Sequence, residues 1–97
     1  MNWQNKSDKE LSERIGQFIR QTRINQKRKQ EEVANTAGIS RSTLSLLERG
    51  ESVSLSTLLQ VLRVLDALYV LDSFQAEEEI SPIEYARLSK KERKRIR

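Results

Sequence analysis

The chain contains no cysteine and no histidine. That removes thiolate nucleophiles, imidazole bases, disulfides and the usual zinc ligands together, so no catalytic, metal-binding or cofactor-binding set is expected. Catalysis would have to rest on carboxylates, lysines or tyrosines, and the only dense carboxylates, Glu77-Glu78-Glu79, read as an exposed connector. The side chains whose spacing could do chemistry are instead hydrogen-bonding ones. Arg41, Ser42, Ser45 and Leu46 fall on one face of a short helix whose other face carries Leu44 and Leu47. An arginine fork and two hydroxyls on an outward face suit recognition of an acceptor-rich surface. Basic residues lie nearby in sequence at Arg20, Lys29 and Arg49.

The elements that must position these groups follow from periodicity. Ser7 or Asp8 can cap a first helix over about 9–26, with Leu11, Ile15, Phe18 and Ile19 on one face. Residues 30–37 form a second helix with Val33, Ala34 and Ala37 inward, ended by Gly38 at a position that favours positive φ. Ile39 plugs the turn, Ser40 caps a third helix over 41–48, and Gly50 ends it. Ser54 caps a fourth helix over about 55–65, with Leu55, Leu58, Leu59, Leu62 and Leu65 as its core stripe. Val61, Val64 and Leu68 form a second apolar stripe, which either Tyr69–Phe74 folds back to cover or a partner covers. The whole is all-α: a frayed stretch 1–8, a helical domain 9–74, and an acidic connector with a basic C-terminal extension, helical or disordered, over 75–97.

The segment Gln30-Glu31-Glu32-Val33-Ala34, Ala37-Gly38-Ile39-Ser40, Leu44, Leu47-Glu48 and Gly50 resembles the Cro/repressor-type helix-turn-helix family, and with helices one and four the likeness covers about 11–66. The resemblance implies a five-helix lambda-repressor-like domain that binds double-stranded DNA and acts as a sequence-specific, dimeric transcriptional repressor in the bacterial cytoplasm, associated with the nucleoid. It places the start of the third helix in the major groove. Arg41 would then read a base, its fork matching guanine O6 and N7, with Ser42 and Ser45 bonding to base edges or phosphates and Leu46 touching a thymine methyl. Arg41 could alternatively contact phosphate alone. Gln30, Thr43, Arg49, Lys29 and Arg20 are implied phosphate contacts. Arg23 and Glu48 stand where relatives join helices one and three, which implies a bidentate, partly buried pair with a structural role. One departure is Lys27-Arg28-Lys29, where relatives carry glycine, an apolar residue and Ser or Thr. These three charges would add phosphate affinity if they face DNA, and either helix one runs longer or helix two lacks its usual cap.

Residues 62–74, Ser81-Pro82-Ile83-Glu84, Arg87-Leu88 and the terminal Lys/Arg run look like antitoxins that accompany Hip-type serine/threonine kinase toxins. That resemblance implies an autoregulating antitoxin with a kinase partner. A homodimer is expected through Val61, Val64, Leu68, Tyr69 and Phe74, on a near-palindromic operator with half-sites about 34 Å apart.

Charge is consistent with this division. Residues 1–50 hold ten basic and six acidic side chains, 51–80 one and six, and 81–97 seven and two. Two basic blocks flank an acidic middle, which suits polyanion binding at the ends or simply a mixed solvated surface. The tail Lys90–Arg97 is a solvated end, a source of phosphate contacts or a docking segment. The first ten residues lack the apolar core of a signal peptide. Gln60, Arg63 and Asp66 interrupt the most apolar run, so no membrane association is expected. The alternative function is a protein-interaction module that binds any DNA non-specifically, motivated by Leu46 and by the Lys27–Lys29 departure.

Overall fold

The computed structural model describes residues 2–75. Among them every regular element is helical: α1 (Asp8–Asn25), α2 (Gln30–Ala37), α3 (Arg41–Glu48) and α4 (Leu55–Val64), with 3-10 turns at Trp3–Asn5 and Leu68–Phe74. The α-helix boundaries fall within one residue of those expected. The helix start expected at Ser81–Glu84 and the basic extension lie outside the described residues. None of the described helices is long and apolar enough to cross a membrane. Where fraying was expected, Trp3–Asn5 instead makes a turn capped by the Asn2 side chain, and the Trp3 ring centre lies 5.8 Å from the Arg14 guanidinium carbon.

Serine starts three of the four helices. Ser7 Oγ accepts from Glu10 N while Glu10 Oε1 accepts from Ser7 N at 2.8 Å, a reciprocal capping box. Those hydrogen bonds hold the Glu10 carboxyl below its ordinary pKa. Ser40 and Ser54 accept from the amides of Thr43 and Thr57. Only α2 begins without a side-chain cap, at Lys29.

All four helices end alike. After each, one residue takes a left-handed conformation: Lys27 (φ 58°), Gly38 (φ 76°), Gly50 (φ 81°) and Asp66 (φ 57°). The next amide then reaches back five residues, as in Arg28 N to Arg23 O, Ile39 N to Ala34 O, Glu51 N to Leu46 O and Ala67 N to Leu62 O. This pattern satisfies carbonyls that a helix end otherwise leaves open. Lys27 has an exposed side chain, yet a non-glycine residue there bears a steric cost of about 1–2 kcal/mol. Lys27→Gly is therefore expected to stabilise the fold by about 0.5–1 kcal/mol after the added chain entropy is offset. An unchanged or lower urea midpoint would show that the lysine is not strained.

The core draws on every described helix: Ile19 from α1, Val33, Ala34 and Ala37 from α2, Leu44 and Leu47 from α3, and Val61 and Leu62 from α4, with Leu65 at the cap that ends it. Each of the largest aliphatic side chains sealed here contributes about 1.5–3 kcal/mol by leaving water. α2 packs on α3 and on α4, while α1 packs on α3. The α1–α3 contact is close because Gly16 is buried against it. A Cβ at Gly16 would lie 2.5 Å from the carbonyl oxygens of both Leu47 and Glu48.

Two sequence expectations about facing are overturned. Ile15 and Leu55, expected inward, are 45% and 71% exposed, whereas Val61, expected on a dimer surface, is fully buried in the chain's own core. Val64 and Leu68 also pack against that core as half-buried residues. The physical reason is that α4 is apolar nearly all round, and its packing partner is α2. Rotating α4 to face α2 buries Val61, Leu62 and Leu65 and leaves Leu55 beyond the contact. The 3-10 segment Leu68–Phe74 folds back on α4 and supplies part of the cover.

Candidate functional site

α3 presents its first turn outward. Arg41 and Ser42 are exposed, Thr43, Ser45 and Leu46 are half-buried, and Leu44 and Leu47 seal the inner face. The 3.6-residue repeat and the buried leucines together fix which side chains remain outside. The hydroxyls at the helix start are already linked: Ser40 Oγ lies 3.1 Å from Ser42 Oγ and 2.8 Å from Thr43 Oγ1. Ser42 and Thr43 therefore face a ligand from a pre-ordered cluster.

Behind Arg41 runs a continuous string of hydrogen bonds. Arg41 Nε donates to Gln30 Oε1 at 3.4 Å, and Gln30 Nε2 donates to Glu48 Oε1 at 3.0 Å. Glu48 accepts from Arg23 twice, Nε to Oε2 at 2.7 Å and Nη2 to Oε1 at 3.2 Å. The remaining arm of Arg23, Nη1, donates to the Arg28 carbonyl at 2.9 Å. The Glu48 side chain is 3% exposed and that of Arg23 12%, so the pair is bidentate and almost dry. Among the described residues only the Nε of this exposed arginine is bonded within the protein, so its two terminal nitrogens keep their donors for a ligand. One amide hydrogen of Gln30 is likewise unspent. Among the described residues no buried side-chain polar atom lacks a partner.

Arg20, Arg23, Lys29, Gln30, Glu31 and Arg41 line one shallow cleft where α1, the start of α2 and the start of α3 meet. With Arg23 neutralised by Glu48, three cations, Arg20, Lys29 and Arg41, stand against the one carboxylate of Glu31 and make it an anion-attracting surface, and Lys29 and Gln30 lie at the positive end of α2. Arg49 is not part of it: it is exposed at the other end of α3.

Arg28, one of three charges expected to add to this surface, is instead committed elsewhere. Its Nη1 donates to the Val64 carbonyl at 2.8 Å, and its other nitrogens meet Glu32 at 3.0 and 2.6 Å. The Arg28 bond keeps the Glu32 carboxyl below its ordinary pKa. Gln26 Nε2 donates to the Leu65 carbonyl at 2.8 Å, so the turn after α1 caps the end of α4 with side chains. A run of basic residues reads as a surface patch in sequence, and nothing in it distinguishes the arginine that turns inward. Gly16 was equally unmarked, although it shares the face of Ile19, three residues on.

Of the residues expected to meet a second chain, Tyr69 and Phe74 are exposed, at 62% and 79%. Phe74 lines a separate groove between α1 and α4.

A family model described as helix-turn-helix matches residues 19–68, from the middle of α1 to the start of the last 3-10 turn. No curated protein matches the chain.

Proposed function

Since the chain belongs to the Cro/repressor-type helix-turn-helix family of DNA-binding transcription regulators, we propose that it is a sequence-specific repressor that binds its operator as a dimer. The observation that carries this reading is Arg41, exposed at the start of α3, held through Nε by Gln30, lining a cationic cleft and with neither terminal nitrogen bonded within the protein among the described residues. A fork presented in this way can bond two acceptors at once, as guanine O6 and N7 offer in the major groove. Ser42 and Ser45 add hydroxyls, and Leu46 adds an apolar contact for a thymine methyl. Lys29, Arg20 and the second amide hydrogen of Gln30 would hold phosphates and set the register, with Thr43 and Arg49 at the margins.

The Arg23–Glu48 pair serves the site by fixing α3 against α1. Dimerisation would use Tyr69 and Phe74 together with the outer edges of Val64 and Leu68; Val61 is excluded by its burial. The resemblance of residues 62–74, 81–84, 87–88 and the terminal Lys/Arg run to antitoxins of Hip-type kinases adds autoregulation and a kinase partner to the reading, with the cytoplasm as its setting.

Binding to the DNA upstream of its own gene, against scrambled DNA at two salt concentrations, tests the proposal. Arg41→Ala is expected to cut discrimination between the two by roughly 5- to 150-fold, the equivalent of about 1–3 kcal/mol. Lys29→Ala should weaken both DNAs alike and reduce the salt slope by about one. Equal binding of both DNAs by the unaltered chain would favour the non-specific interaction module instead.

A further inference from the structure

Among the described residues an open groove of about 1050 Å³ lies between α1 and α4. Ile15 and Phe18 line its α1 side, Leu55 and Leu58 its α4 side, and Trp3 and Phe74 line it as well. Trp3, Ile15, Leu55 and Phe74 are 50%, 45%, 71% and 79% exposed, so four large apolar side chains meet on one surface. Phe74 is shared with the surface proposed for dimerisation; the other three are not. A contiguous apolar patch of this kind marks a contact site. Its charge is one-sided. Among the described residues Arg14 and Arg20 are the only charged ones that line it, both exposed and both on α1, and neither is paired with an acid. The Arg14 guanidinium carbon instead lies 5.8 Å from the Trp3 ring centre. Gln17 and Gln21, three and seven residues after Arg14, continue this polar rim along the same face of α1.

We propose that this groove docks an amphipathic helix of a partner protein, with carboxylates along the edge of its apolar face. The apolar walls select that face, and the two arginines select the charge beside it. The groove also selects the backbone form. An extended segment gains affinity by bonding to a free sheet edge, and every regular element among the described residues is a helix. A helix satisfies its own amides and carbonyls, so it can dock by side-chain contact alone.

Size and spacing point the same way. Small-molecule sites are concave volumes of about 300–1000 Å³ that enclose most of their ligand. This groove exceeds that range and leaves Trp3, Ile15 and Leu55 widely exposed. Arg14 and Arg20 stand about 9 Å apart along α1 at 1.5 Å per residue, close to the roughly 10.5 Å between positions i and i+7 of a helix laid alongside. Carboxylates at that spacing, beside apolar anchors at i, i+3, i+4 and i+7, would meet both arginines. A second copy placing the same groove opposite would instead set Arg14 and Arg20 against their own equivalents.

Trp3, the single tryptophan of the sequence, lines the groove and reports its filling. The probes are two synthetic, tryptophan-free helices of about 15 residues with leucine at the i, i+3, i+4 and i+7 anchors. One carries glutamate on its polar face and the other lysine. Each is titrated into the full-length chain, into Leu55→Glu and into Arg14→Glu/Arg20→Glu, with acrylamide quenching of Trp3 as the readout. The acidic helix should saturate the unaltered chain and lower its quenching constant about twofold, because it covers a ring that is 50% exposed. The basic helix should bind about tenfold more weakly, since two attractive pairs at the rim become repulsive. Leu55→Glu puts a carboxylate into the apolar wall at an exposed position in the first turn of α4, where an acid suits the helix end, so it should weaken the acidic helix and keep the circular-dichroism signal. Arg14→Glu/Arg20→Glu should reverse the preference in favour of the basic helix, an outcome that misfolding cannot produce. No saturation by the acidic helix at about 1 mM, or equal binding of both helices, would overturn the proposal. So would a Trp3 already shielded without peptide: shielding at every protein concentration would mean that the chain fills its own groove, and shielding that grows with concentration would mean a second copy.

Discussion

Arg23→Ala is expected to lower the unfolding free energy by about 3–5 kcal/mol, the loss typical of breaking a buried ion pair by removing one partner. The substitution leaves the Glu48 carboxylate, whose side chain is 3% exposed, with Gln30 as its remaining donor. The cost is the desolvation of an anion that can no longer be repaid, more than the loss of two hydrogen bonds. Whole domains are stable by only about 5–15 kcal/mol, so this one change removes a large share of the margin. Arg23→Lys should fall between, since an ammonium keeps the charge but cannot bridge both carboxylate oxygens and the Arg28 carbonyl. The decisive comparison is Arg23→Met/Glu48→Leu, which removes both charges and should be clearly more stable to urea than Arg23→Ala. A double variant no better than the single one would mean that the pair supplies net stability itself.

Gly50→Ala is expected to cost about 2–5 kcal/mol, and Gly38→Ala only about 1–2 kcal/mol. Both glycines are left-handed, at φ 81° and 76°, so the backbone strain of an alanine is common to the two. The surroundings differ. A Cβ at Gly38 meets nothing within 4 Å, while one at Gly50 would lie 2.6 Å from Glu13 Cα and 2.7 Å from Glu13 N. Backbone atoms of a helix cannot step aside as a flexible side chain can, so α1 would be pushed from the end of α3. Urea midpoints of the two variants isolate that steric part. Equal losses would show that α1 yields freely at Glu13.

Much of this fold was legible because its punctuation is local. Ser7, Ser40 and Ser54 announce helix starts by side-chain chemistry that needs no tertiary context, and Gly38 and Gly50 announce ends. The outer face of α3 was legible for the same reason, since Leu44 and Leu47 name the inner one. The pairing of Arg23 with Glu48 was accessible only through family likeness, because residues 25 apart in sequence carry no periodic signal. The facing of α4 was not legible. With Leu55, Leu58, Leu59, Val61, Leu62, Val64 and Leu65 in one short helix, hydrophobicity points in almost every direction, and the choice falls to whichever helix lies alongside. Lys27 and Asp66 show the reverse case: the left-handed step occurs there without the residue that advertises it.

The contact at Gly16 and Gly50 also bears on how α3 moves. Where most helices meet through side chains that slide and repack, α1 and α3 touch backbone to backbone at two places. Such a junction has no soft layer, so α3 cannot loosen while α1 stays in place. The inner amides of α3 should therefore exchange their hydrogens only when the whole domain opens, and not by fraying of the helix alone. The outer face of α3, proposed above to read DNA, would then meet its target already shaped. Association would then carry a heat-capacity change set by the surface it covers, without the larger change that accompanies a segment folding as it binds.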